Sequence, residues 1–147
     1  MSAKKQYADA KKALGIIERE VLSPGQHLTY GQLAVHLGQK PSKHAGHVGQ
    51  VCSLIDSACY WTKLPMLSLE KIRMENGEHN PDSFGDEFRP LKGQLIANAE
   101  THDWTSDDIR RVQRLLDIHM NGESALLQWQ SISNFGKAGL KRIASFK

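Results

Sequence analysis

Apolar residues at Tyr7, Ala10, Leu14, Ile17 and Val21 recur with the period of an α-helix, and this stripe constrains the chain more than any other feature. A helix that is apolar along one face needs a second surface to bury it. The pattern predicts an amphipathic helix over residues 4–21, stopped at Ser23-Pro24-Gly25. Two shorter stripes follow. Thr29 reads as an N-cap, and Gln32 three residues later completes a capping box. The helix it opens turns Leu33, Ala34 and Leu37 inward and ends at Gly38. Pro41-Ser42 opens a third helix, capped by Ser42, with Val48, Cys52, Ile55 and Cys59 on one face and an end near Tyr60.

A short helix, a turn containing glycine and a second helix make a helix-turn-helix outline, in which the second helix is the reader. Its opening turns carry Lys43, His44, His47 and Gln50, all able to hydrogen-bond. The positive end of the helix dipole favours a phosphate there. Residues 66–74 are expected as a strand, and Asn76-Gly77 is a strong signal for a tight hairpin turn. A return strand over residues 78–84 is weakened by Pro81. Together these predict a mainly α fold with a small β-hairpin wing: a winged helix-turn-helix over residues 1–85. Residues 86–147 add C-terminal helices. One is expected over residues 88–99, one after Thr105 with Ile109, Val112, Leu116 and His119 on a face, a short one near Leu126, Leu127 and Trp129, and a basic one bearing Lys137, Lys141 and Arg142. Trp61, Trp104, Trp129, Phe84 and Phe88 are expected to seal those helices onto the winged unit. With no repeat or long linker, the 147 residues read as a single domain.

Charge gives the outline a direction. The net charge is only +3, but it is unevenly spread. Residues 1–50 hold seven Lys/Arg against three Asp/Glu, residues 51–100 five against eight, and residues 101–147 seven against five. A basic front and tail around an acidic middle are compatible with a face that meets a polyanion. No apolar run reaches the roughly 18 residues that span a bilayer, so no membrane partner is expected. The start, Met1-Ser2-Ala3-Lys4-Lys5, is not a signal-peptide core. Two cysteines make no disulfide framework, which points to a reducing cytoplasm.

The run Pro24-Gly25-Gln26-His27-Leu28-Thr29-Tyr30-Gly31-Gln32-Leu33-Ala34, then Leu37-Gly38 and Val48-Gly49-Gln50, resembles the C-terminal DNA-binding domain of O6-alkylguanine-DNA alkyltransferases and alkyltransferase-like proteins. The resemblance covers the first half of the chain beyond the opening helix and ends by Gly85. It implies a winged helix-turn-helix that enters the minor groove and rotates a nucleotide out of the stack, with Tyr30 at the position that assists rotation. The chain departs from that pattern where chemistry is done. Met66 follows Pro65 where the family carries its acceptor cysteine, Leu67-Ser68 replaces His-Arg, and Gly46 falls where the family has its intercalating arginine. A thioether cannot become a thiolate nucleophile, so alkyl transfer is not expected, and nucleotide flipping lacks the residue that would fill the vacated stack.

The leading expectation is a non-catalytic protein that binds duplex DNA through Tyr30, Lys43, His44, His47 and Gln50, with Arg73 and Asn76 beside them. No cofactor or metal is expected. Cys52 and Cys59 lie about 10 Å apart along a helix and read as small buried hydrophobes. His44 and His47 lack a fixed acidic or thiol partner for zinc. An alternative is a nuclease or base-excision enzyme that uses Glu70, Glu75, His79 and Asp82 around the hairpin, where carboxylates beside a histidine could hold a divalent metal. Against it, Glu70, Glu75, Glu78, His79 and Asp82 also fit a solvated acidic hairpin. A third reading is a protein-interaction module of phage or mobile-element origin, which meets a partner through the C-terminal helices.

Overall fold

A computed structural model describes residues 3–39, 45–80 and 92–120. The first stripe forms helix α1 (Ala3–Val21), and Tyr7, Ala10, Leu14, Ile17 and Val21 are all buried. A turn at Ser23–Gln26, with Gly25 at a φ of 80°, leads to the two-residue strand β1 (Leu28–Thr29). Helix α2 (Tyr30–His36) starts as the capping box requires. Gln32 N donates to Thr29 Oγ1 at 3.1 Å, and Thr29 N donates to Gln32 Oε1 at 2.9 Å. Its end is a Schellman turn. Gln39 N reaches Ala34 O, Gly38 N reaches Val35 O, and Gly38 takes the left-handed φ of 76° that this turn demands.

Helix α3 (Ala45–Trp61) is the centre of the molecule. Besides the expected Val48, Cys52, Ile55 and Cys59, it buries Val51, Leu54 and Ala58. Several elements surround it: α1, α2, a one-turn helix α4 (Leu67–Lys71) and helix α6 (Ser106–Met120) all pack against it. Its end repeats the Schellman pattern, with Leu64 N bonded to Cys59 O and Lys63 in the left-handed region at φ 60°.

Residues 66–74 do not form the expected strand. Residues 67–71 are helical, and only β2 (Ile72–Arg73) is extended. It pairs parallel to β1, Leu28 opposite Ile72 and Thr29 opposite Arg73, rather than antiparallel across a hairpin. The tight turn at Asn76-Gly77 does form, with Gly77 N bonded to Met74 O at 2.8 Å and Gly77 at φ 86°. Residues 78–80 are not in a strand, and 81–84 lie outside the described residues.

Helix α5 (Lys92–Thr101) packs on α4. Helix α6 follows Thr105 as expected, capped by Asp108 N to Thr105 Oγ1 and Thr105 N to Asp108 Oδ2, each 3.1 Å. Ile109, Val112 and Leu116 join the same hydrophobic core as α1, α2 and α3. Ion pairs Lys11–Asp117 and Glu18–Arg110 tie α6 antiparallel along α1. Trp104 does seal this corner, donating from Nε1 to Ala99 O at 3.0 Å, whereas Trp61 is 41% exposed. Phe84, Phe88 and Trp129, and the expected helices after Asn121, fall outside the described residues. No described helix is long and apolar enough to cross a membrane.

Candidate functional site

The polar residues at the opening of α3 separate by what they touch. His47 is buried rather than exposed, a correction to its expected place on a solvent-facing surface. Its Nε2 lies 2.7 Å from Asp9 Oδ2 on α1, and Asp9 also meets Lys5 at 3.3 Å. Gln50, one turn on, is exposed and accepts a 2.7 Å hydrogen bond from Gln6 Nε2. The lower half of α1 thus braces the first turns of α3 through two polar links. Lys43 and His44 lie outside the described residues. Asp9 is legible in sequence only as a solvent-side partner of Lys5, four residues away, and nothing local announces its second bond.

Around the 74–77 turn, each expected contact residue has an internal partner. Arg73 is a clip: Nη2 donates to Glu70 Oε1, while Nε and Nη1 donate to Glu70 O and Gly77 O, both at 3.2 Å. Asn76 Oδ1 accepts from Glu78 N at 3.0 Å and shapes the turn. Half-buried Tyr30 accepts from Asn80 Nδ2 at 3.2 Å. Glu75 Oε1 accepts from Gly31 N at 2.8 Å, so a carboxylate already sits at the start of α2. A Cβ at Gly31 would stand only 2.7 Å from that oxygen, so a side chain there would push the Glu75 carboxylate aside. The turn is therefore docked on the beginning of α2.

The acidic candidates divide in the same way. Glu75 belongs to the α2 cap, and Asp82 lies outside the described residues. Glu70 and His79 do come together, and Glu100 near the end of α5 completes a group that sequence reasoning missed. Glu70 is 4% exposed. His79 Nε2 lies 3.3 Å from Glu100 Oε1 and 3.7 Å from Glu70 Oε1, yet it is buried without the alignment of a hydrogen bond. Burial first, and then the neighbouring Arg73 charge, hold the imidazole pKa below its ordinary value. Glu100 is distant in sequence and sits in a helix of weak amphipathic character, so no spacing rule could have joined it to His79.

Both cysteines of the chain are buried, and burial with Asp56 beside them pushes both thiols up. Met66 is 2% exposed. Asp56 itself, buried in α3, accepts Ser68 N at 3.0 Å and Ser68 Oγ at 2.5 Å, which fixes the start of α4. Burial pushes its carboxyl up to about 7, partly offset by the Ser68 bonds. Comparison with family models, curated proteins and solved structures finds no match for the chain.

Proposed function

We propose that this chain is a non-catalytic, duplex-DNA-binding protein that docks the opening turns of α3 on the nucleic acid, with α2 and the 74–77 turn alongside. The observation that supports this reading is that α2 and α3 follow one another in the chain and pack together. A Schellman turn at Gly38 ends α2, and α3 presents Gln50 to solvent while Val48 and Val51 anchor it in the core. Val48 and Val51 hold the opening turns of α3 in the core, so the proposed contact falls to the side chains of those turns that face away from it, as on a reading helix braced from behind. The charge distribution supports it, because residues 1–50 carry seven Lys/Arg against three Asp/Glu.

The contact set is narrower than sequence alone implies. Lys43 and His44 supply charge and hydrogen bonding, Gln50 reaches toward base edges, and Tyr30 lies at the α2 edge. His47, Arg73 and Asn76 act as braces within the protein. Both cysteines are buried, so the proposal includes no alkyl transfer.

Duplex affinities of the Lys43→Ala and Gln50→Ala variants test this docking. Lys43→Ala should weaken binding about equally across duplex sequences and lower the salt slope by roughly one. Gln50→Ala should cost about 1–3 kcal/mol on a preferred site. Wild-type affinity in both variants would refute the docking mode.

A further inference from the structure

We propose that Glu70, His79 and Glu100 form a binding site for a divalent cation of the zinc or manganese class, joining α4, the segment after the 74–77 turn, and the end of α5. Each residue offers one donor atom, and the three atoms lie within 4.8 Å of one another. They come from three separate elements, so no local helical pairing accounts for the convergence. Two of the edges can be compared with coordination geometry. Tetrahedral bonds of about 2.0 Å place neighbouring ligand atoms about 3.3 Å apart, and His79 Nε2 stands 3.3 Å from Glu100 Oε1 and 3.7 Å from Glu70 Oε1.

The histidine supplies the second argument. Its Nε2 is buried and makes no well-aligned hydrogen bond, although two carboxylate oxygens stand at ion-pair distance. A buried polar nitrogen left unpaired costs free energy, and a cation seated between the three donors satisfies it. One imidazole nitrogen and two carboxylate oxygens suit a borderline or hard divalent ion, and not a soft thiophilic one. Three protein ligands leave a coordination position for water on the side of Glu100, whose side chain is 44% exposed.

Arg73 sets the strength of the site. Its Nη2 already donates to Glu70 Oε1, and an entering cation displaces that contact. The guanidinium keeps Glu70 O and Gly77 O as acceptors, so the turn stays in place. Two carboxylates against one guanidinium leave one net negative charge for the ion to neutralise, which makes binding weaker than in a closed four-ligand site.

The site is independent of the DNA-binding reading, and either can fail alone. The test is titration of the full chain with Co2+, followed by its visible absorption, and with Zn2+ by calorimetry, beside the His79→Ala and Glu100→Gln variants. Circular dichroism of the metal-free proteins verifies folding. Glu100→Gln changes an exposed side chain, so it keeps the test valid if His79→Ala does not fold. One equivalent should bind the wild type, with affinity reduced on the order of 100-fold in Glu100→Gln and in any folded His79→Ala. No binding by the wild type, or equal affinity in a folded variant, would overturn the assignment.

Discussion

At the start of α3, among the described residues, His47 meets Asp9 and Gln50 meets Gln6, both partners from α1. In residues 66–80, by contrast, side chains are shared among several backbone groups. Lys71 Nζ donates to the carbonyls of Leu22, Ser23 and Gln26, at 3.4, 3.0 and 3.3 Å. Arg73 joins Glu70 to Gly77, and Asp56 takes both donors of Ser68. The first region is a helix–helix contact trimmed with polar pairs, and one partner can be lost without undoing the backbone. The second is a stretch of irregular chain whose backbone groups depend on individual side chains for satisfaction. That difference predicts where the molecule breaks.

The largest effect is expected at Lys71. Lys71→Met keeps the bulk of the stem but removes the donor shared by three carbonyls of the α1–β1 connection, of which, among the described residues, only Ser23 O keeps a second donor, Gln26 N. Stability should fall by about 4 kcal/mol, read from urea unfolding. A loss under 1 kcal/mol, about the scale of a surface pair, would remove the distinction between the two regions.

Asp56 gives the distinction a pH signature. Unfolded, its carboxyl ionises near the ordinary value of about 4, and folded it ionises at about 7. Between those values the folded chain holds a proton that the unfolded chain has lost. Stability therefore falls as pH rises from about 4 to about 7 and is level above, by an amount on the order of 4 kcal/mol. Asp56→Asn should flatten that slope while keeping acceptor and donor for Ser68. A slope unchanged in this variant would assign the pH dependence elsewhere.

The Asp9–His47 pair should be less costly to break. Asp9→Ala removes one link at a partly accessible edge, and a loss of about 2 kcal/mol is expected, without change in the α-helical circular dichroism. Smallest is a gain. Lys63 holds a left-handed φ of 60° at the end of α3, and Lys63→Gly should stabilise by about 0.5–1 kcal/mol in the same unfolding experiment.

The same contrast explains what the sequence makes legible. Periodicity identifies α1 and α6, because one apolar face against one core is what a 3.6-residue period encodes. Thr29 with Gln32 marks the start of α2, and Gly38 its end, since both signals lie within a few residues of the turn they make. Residues 66–74 mislead because Leu67 and Leu69 alternate with Ser68 and Glu70 as a half-buried strand would. In the folded chain both faces are buried, and Ser68, Glu70 and Lys71 are tolerated there through Asp56, Arg73 and the 22–26 carbonyls. Those partners are mostly remote in sequence, and no local rule reaches them. The candidate site divides similarly. Gln50 is exposed on α3, whereas His47 turns inward to Asp9, a contact that no local pattern announces. Glu70 and His79 were singled out together, and Glu100 was invisible until the chain was folded.

The most direct test of the central claim is fluorescence anisotropy of a labelled duplex titrated with the full chain at two salt concentrations. The DNA-binding account predicts saturable binding at low salt that weakens steeply as salt is raised, because phosphate contacts release counterions. No binding at low salt, or an affinity indifferent to salt, would contradict it.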